Sequence, residues 1–483
     1  MQKSPPANVR QRGLGIYSLV RQPLQSKPLM WMIGFSAFVL FACSSLRHAL
    51  ISSNGWDLGI FDQVVYLISQ GQPPISSFLG FHILGDHAAW IFYPLALLYK
   101  IYPDVHWLLA IQAIALASGA LPTWRLARLS GLRQDQALAV AGVYLLFPVV
   151  FNTNLFDFHA DIFVLPALLW AILAARLGQV GWFCLAITVV LGCKSIFGLT
   201  VVGLGFWLLV FEKRRVCGAI ALAAGIAWFL IATQVIIPSF GGAQKVALAR
   251  YAYLGNSALE IAKNLFLKPA TILPVVFSTV NLKYLVELFV PVIWGLSPWH
   301  LAPMVGAIPA LALNLIADYE PQKSLVYQYS LPILPFILVA IISTLAADQG
   351  WLRSRRAILL WSLVFFLGFA RWSYFFTKYL PIIDTWQASR EALALVQPQA
   401  PVLTTNQFAP HLSHRRLIMI ARPEDDHLPD LAQFKYVLMN ARHPGVVTAP
   451  GFTQKVEEKV KQTRDFQLRY KRGDVFLYEK VTN

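Results

Sequence analysis

Two aspartates five residues apart, Asp57 and Asp62, stand in the stretch SSNGWDLGIFDQVVYLISQG, residues 52–71, directly after a long apolar run. A carboxylate there can take the proton of an attacking hydroxyl, the work of a general base. Asn54 or Asp57 can cap a helix running through Tyr66. On a regular helix a spacing of five is a rotation of about 140°, so the two carboxylates leave on different faces. The plainer reading is a cap followed by a solvated acid. FHILGDHAAW adds His82 and the Asp86–His87 pair, which suits a base or part of a divalent metal site (Mg or Mn) that accepts phosphate oxygens. NLFDFHAD adds Asp157, His159 and Asp161 at the mouth of an apolar run, where ionisable groups are expensive unless satisfied. The plainer reading there is a capped helix start.

Cations accompany these acids. Lys194 separates two apolar runs in VLGCKSIFGL, and Arg371, Lys378 and Lys323 follow later. Each can hold a lipid phosphate or simply extend to the headgroups. Tyr327 and Tyr329, in SLVYQYSLPILPF, are already explained by an interfacial aromatic belt.

The elements that must position these residues follow from composition. The chain has 483 residues, 57% hydrophobic and only 13% charged, with mean hydropathy +0.56. That is too apolar for a soluble domain and marks an integral membrane protein. About eleven apolar runs recur between residues 28 and 376, several shorter than the roughly 20 residues of a full span. The first is a retained helix and not a cleaved signal. Cys43, Cys184, Cys193 and Cys217 fall in or beside apolar runs and show no metal or disulfide spacing.

Orientation comes from the basic residues. Lys3, Arg10, Arg12, Arg21 and Lys27 precede the first span without an acid, which places residues 1–27 in the cytoplasm. The clusters at Arg125, Arg176, Lys213 and Arg353 then also fall inside, provided residues 88–103 lie in the interface or re-enter without crossing. Asp57, Asp62 and Asp86 fall in a first outer loop (47–104), and Asp157 and Asp161 in the second. The net charge of +16 reads as cytoplasmic anchoring against the lipid bilayer, and no nucleic-acid partner is implied. Residues 28–376 form the helical body. Residues 377–483 read as a small α/β domain outside the cytoplasm, with strands in PVLTTN, RLIMI, FKYVLMN, FQLRY and DVFLYEK and a helix in TQKVEEKVKQTR. The expected fold class is mainly α: a polytopic transmembrane helical bundle with a small C-terminal α/β domain.

The motifs N-x-x-D-L-G-I-F-D-Q, the D-H pair, F-D-F-H, the lysine at a helix break, YQYS-LP and the tail segments APHLSHR and YVLMN resemble the DUF2079 family of polytopic membrane proteins, whose architecture is similar to that of GT-C glycosyltransferases. The resemblance implies a polyprenyl-phosphate-linked sugar as donor and a first-loop carboxylate as base or acceptor-positioning group. That role falls on Asp57 or Asp62, with Asp86 as a second acid. His87, Asp157, His159, Lys194, Tyr329 and Arg371 are then the substrate-binding candidates. One departure concerns Lys194: where the family pattern continues with acids, this chain has Ser195 and Ile196. A transporter or flippase of lipid-linked or small polar cargo is the alternative reading, and a non-catalytic scaffold retaining the fold is another. Neither sugar, acceptor, metal need nor protein partners follow from the residues.

Overall fold

The computed structural model describes residues 26–242, 248–422, 430–445, 448 and 451–481. Lys3, Arg10, Arg12 and Arg21, on which the cytoplasmic assignment of the N-terminal segment rests, lie outside the described residues. The first helix, α1 (Lys27–Ala49), has Pro28 in its first turn, where a missing N–H costs nothing, and Arg47 and His48 in its last turn. Trp31, Phe35 and Phe38 along it are 79%, 70% and 68% exposed, an arrangement stable only against lipid.

The first loop carries α2 (Ile60–Ser69), the short hairpin β1 (Ile75–Ser76) and β2 (Phe81–His82), and α3 (Phe92–Ile101). At ten residues α3 extends about 15 Å, half a bilayer core. The bundle continues with α4 (His106–Ser118), α5 (Ala120–Leu129), α6 (Gln134–Leu145), α7 (Pro148–Phe156), α8 (Val164–Leu177), α9 (Val180–Cys193), α10 (Phe197–Val210) and α11 (Arg215–Ile231). After α12 (Ala258–Leu267), α13 (Pro269–Val276) and α14 (Thr279–Phe289) come α15 (Met304–Ile316), α16 (Leu334–Ala346) and α17 (Arg355–Phe369). Helices α10 and α11 approach through small residues: a Cβ on Gly225 would stand 2.6 Å from the Gly198 carbonyl oxygen. Without a hydrophobic drive between helices in lipid, such close backbone contact supplies the packing.

Among the described residues five helical stretches are long and apolar enough to cross a membrane, or seven if each of two bent pairs is one span, and five further apolar helices have 10 to 17 residues. The expected count of about eleven is therefore not met on length alone. The hydropathy run 326–347 opens on turns before Leu334, so α16 is only 13 residues long; α9 fills its own short run 180–194 with 14 residues, and each extends about 20 Å.

Helix ends sort the bundle into two rims. Gln134 donates to Ser26 across 3.3 Å, Arg176 pairs with Glu212 at 2.7 Å, and Arg214 donates to the Arg176 carbonyl at 2.6 Å. One rim thus gathers the start of α1 and α6, the end of α8 and the turn between α10 and α11. The opposite rim holds the first loop, the α7–α8 connection and Lys194.

The chain ends in α18 (Ile383–Ala394), α19 (Phe452–Gln462) and a five-stranded sheet in the order β4-β3-β5-β7-β6. Strands β3 (Val402–Thr404), β4 (Ile418–Ile420) and β5 (Tyr436–Asn440) are parallel; β7 (Val475–Lys480) runs antiparallel to β5 and to β6 (Phe466–Arg472). All five segments expected as short strands are present. Trp386 of α18 donates to the Ala49 carbonyl (2.8 Å), seating this unit on the rim where α1 ends.

Candidate functional site

The turn that carries Asp57 is built by Asn54. Its side-chain oxygen accepts from the Trp56 N–H at 3.0 Å, and residues 55–59 form one wide π-type turn ahead of α2. The Asn54 amide donates to Asp57 Oδ2 at 2.7 Å, and Gly55 N–H donates to Asn406 Oδ1 of the sheet unit at 3.1 Å. Of the two residues able to cap, Asn54 does so. Asp57 is left free to turn inward. Wide turns of this kind recur at functional positions.

His159 meets it there, donating from Nε2 to Asp57 Oδ1 at 3.0 Å. The ring is fixed on its other side by the Asp157 carbonyl, 3.3 Å from Nδ1, and is stacked on Phe156 with centroids 5.2 Å apart. Asp157 itself forms an ion pair with Arg47 and accepts from the Asn54 backbone N–H at 3.0 Å. Its φ of 127° is a region that residues other than glycine rarely visit, at a cost of about 1–3 kcal/mol. The buried ion pair holds it there. Asp157 is thus a brace beneath Asn54 and His159.

A second group lies beside the first. Lys194 contacts Asp161 at 2.8 Å, both buried, and lies within electrostatic range of Tyr329, Asp86 and His87. The acid that Lys194 pairs with is thus Asp161, remote in sequence, while Ser195 N–H donates to the His87 carbonyl at 2.8 Å. Asp86 and His87 face each other at 3.5 Å and are partly exposed. Among the described residues no three His, Cys, Asp or Glu side chains converge as a metal site; a metal held by Asp86 and His87 would take its remaining ligands from substrate. Arg250 stacks over Tyr319 and Tyr329, at 4.3 and 5.4 Å.

Next to Asn54 opens a cavity of about 210 Å³ whose lining includes Arg47, Asn152, Tyr327, Arg371 and Lys378. Arg371 Nε is buried and has no acceptor among the described residues; Lys378 Nζ sits 4.0 Å over the Tyr374 ring. The cavity is cationic and aromatic, a setting for an anion with an apolar attachment.

Asp62 points elsewhere. Its carboxylate accepts from Tyr99 at 2.5 Å, from Ser413 and from His414, 3.1 Å away. Asp62 is 1% exposed at its side chain, against 19% for Asp57. The divergence expected from the five-residue spacing thus separates two jobs: Asp57 meets His159 and Asp62 fastens the sheet unit. Sequence reasoning did not single out Arg47, Arg250, Asn406, Ser413 or His414. A signal for Arg47 was available, since it is an arginine on the rim opposite the basic clusters.

Among solved structures the fold is similar to ArnT from Cupriavidus metallidurans bound to undecaprenyl phosphate, with TM-score 0.54 at 13% identity, covering 95% of this chain and 99% of that one. It is also similar to ArnT of the same organism in the apo state, with TM-score 0.52 at 12% identity over 91% and 97% of the two chains. At such identity the likeness is one of fold. No curated protein matches the chain. A helical bundle with a small sheet seated over an acid-bearing rim is a polytopic membrane protein of GT-C-like architecture. The family model described as "Predicted membrane protein (DUF2079)" matches residues 47–477, and the chain belongs to that family.

Proposed function

We propose that this protein is a membrane glycosyltransferase that uses a polyprenyl-phosphate-linked sugar and acts outside the cytoplasm. The observation that carries the reading is the Asp57–His159 pair beside a cavity lined by Arg371 and Lys378. It is supported by a fold shared with a protein whose structure holds undecaprenyl phosphate. In this reading Asp57 takes the proton of the acceptor hydroxyl as that oxygen attacks the anomeric carbon, with inversion. His159 and Asn54 hold the carboxylate in place. The phosphate leaves with its charge neutralised by Arg371 and Lys378, and Lys194 and Tyr329 line the sugar side. Asp86 serves as a second acid.

The side of action rests on the basic rim, where Arg128, Arg133, Arg176 and Arg214 lie opposite Asp57. Among the described residues, counting both bent pairs and the shorter apolar helices other than α3 as crossings gives eleven, an odd number that supports an outer position for the sheet unit. The decisive experiment is a transfer assay with labelled polyprenyl-phosphate sugar on the Asp57→Asn variant. A loss of at least about a hundredfold is expected; unchanged turnover would remove Asp57 from the chemistry.

A further inference from the structure

A cavity of about 710 Å³ lies between α5, α8 and α9 and is separate from the Asp57 site. It follows α8 from Phe163 to Leu177, about 21 Å, and opens sideways past Trp182, which is 66% exposed. Its walls are apolar, with Ala167 and Ala186 leaving the room. At the end belonging to the basic rim the lining changes to Arg125 and Arg128. The Arg125 guanidinium lies 5.2 Å over the Trp170 ring. Arg128 donates to the Leu132 carbonyl at 2.6 Å. Among the described residues neither arginine has an acid partner, whereas Arg133 pairs with Asp135 and Arg176 with Glu212 on the same rim. Trp124, also in the lining, keeps its buried indole N–H without an acceptor among the described residues.

We propose that this cleft binds one anionic glycerophospholipid from the leaflet at the basic rim. Two guanidinium groups without an acid partner, at the head of an apolar groove, complement an anion, and a phosphodiester answers both. An acyl chain fills a groove that is long, apolar and open to the bilayer, and the volume lies within the range of ligand pockets. The buried Trp124 N–H in the same lining is a donor for an ester carbonyl. The site is independent of the transfer reaction, because its arginines lie at the opposite end of the bundle from Asp57.

The test is native mass spectrometry of the full chain in detergent, titrated with phosphatidylglycerol. Wild type is expected to retain one phosphatidylglycerol at least about tenfold more tightly than phosphatidylcholine of the same chains. Arg125→Gln with Arg128→Gln should abolish that preference. Ala186→Trp, which fills the groove with both charges intact, should weaken retention of both lipids about tenfold. Asp57→Asn should retain phosphatidylglycerol as wild type does, even if transfer is lost. Equal retention of phosphatidylglycerol by wild type and by both cleft variants overturns the proposal, as does equal retention of the two lipids by wild type. Preferential capture of undecaprenyl phosphate at the cleft overturns it too.

Discussion

His159 Nε2 lies 3.0 Å from Asp57 Oδ1, joining residues 102 positions apart at one rim of the bundle. The imidazole touches the carboxylate and the Asp157 carbonyl, so in the proposed transfer its role is to orient Asp57. His159→Ala is expected to lower kcat of transfer about tenfold to a hundredfold with KM little changed. Asp57→Asn should remove nearly all of kcat. An equal rise in KM for both variants would assign the pair to substrate binding.

The Asp62 carboxylate, satisfied by Tyr99, Ser413 and His414, ties α2 to the sheet unit. Asp62→Ala leaves those groups buried without their acceptor and is expected to destabilise the docked sheet unit by about 3 kcal/mol. Faster limited proteolysis between α18 and β3 would report it. Unchanged cleavage would mean that the unit is held by other contacts.

Lys194 and Asp161 form a buried pair, so removing either alone strands the other. Lys194→Met is expected to cost about 3–5 kcal/mol, and Asp161→Asn together with Lys194→Met much less than the sum. Thermal unfolding of the two single variants and the double variant measures the coupling; additive losses would mean that the pair is not made.

Acid should loosen the same docking. Burial pushes the His411 imidazole, stacked on His48 with ring centroids 4.0 Å apart, down to about 4. The unfolded chain then takes a proton that the folded one refuses. The contribution of neutral His411 is full above about 6.5 and is lost as pH falls toward 4. His414 has the opposite sign: burial lowers its pKa, but the charge and hydrogen bond of Asp62 outweigh burial and leave it raised. Its contribution is present below 6.5 and lost as pH climbs through the raised value. In melting curves against pH, His411→Gln should flatten the acid limb and His414→Gln the alkaline one. Unaltered limbs would place the titrating groups elsewhere.

Much of this protein was legible in its residues alone. An apolar chain with few charges has one solvent that suits it, so the membrane bundle followed from composition. Short runs rich in apolar and β-branched residues, bounded by turn residues, marked all five strands in the tail, two of which the fold buries on both faces. Scarcity of acids picked out Asp57, Asp62, Asp86, Asp157 and Asp161, since a charge near lipid persists only where something satisfies it. The length of α16 was not legible, because hydropathy does not register the turns that precede Leu334. Nor was the division of labour between Asp57 and Asp62. Asn54 had to take the cap, and residues more than 350 positions away, Ser413 and His414, had to claim Asp62. Residue type and spacing declare which groups are costly to bury; only the folded chain decides which partner removes that cost, because those partners are adjacent in space and remote in sequence.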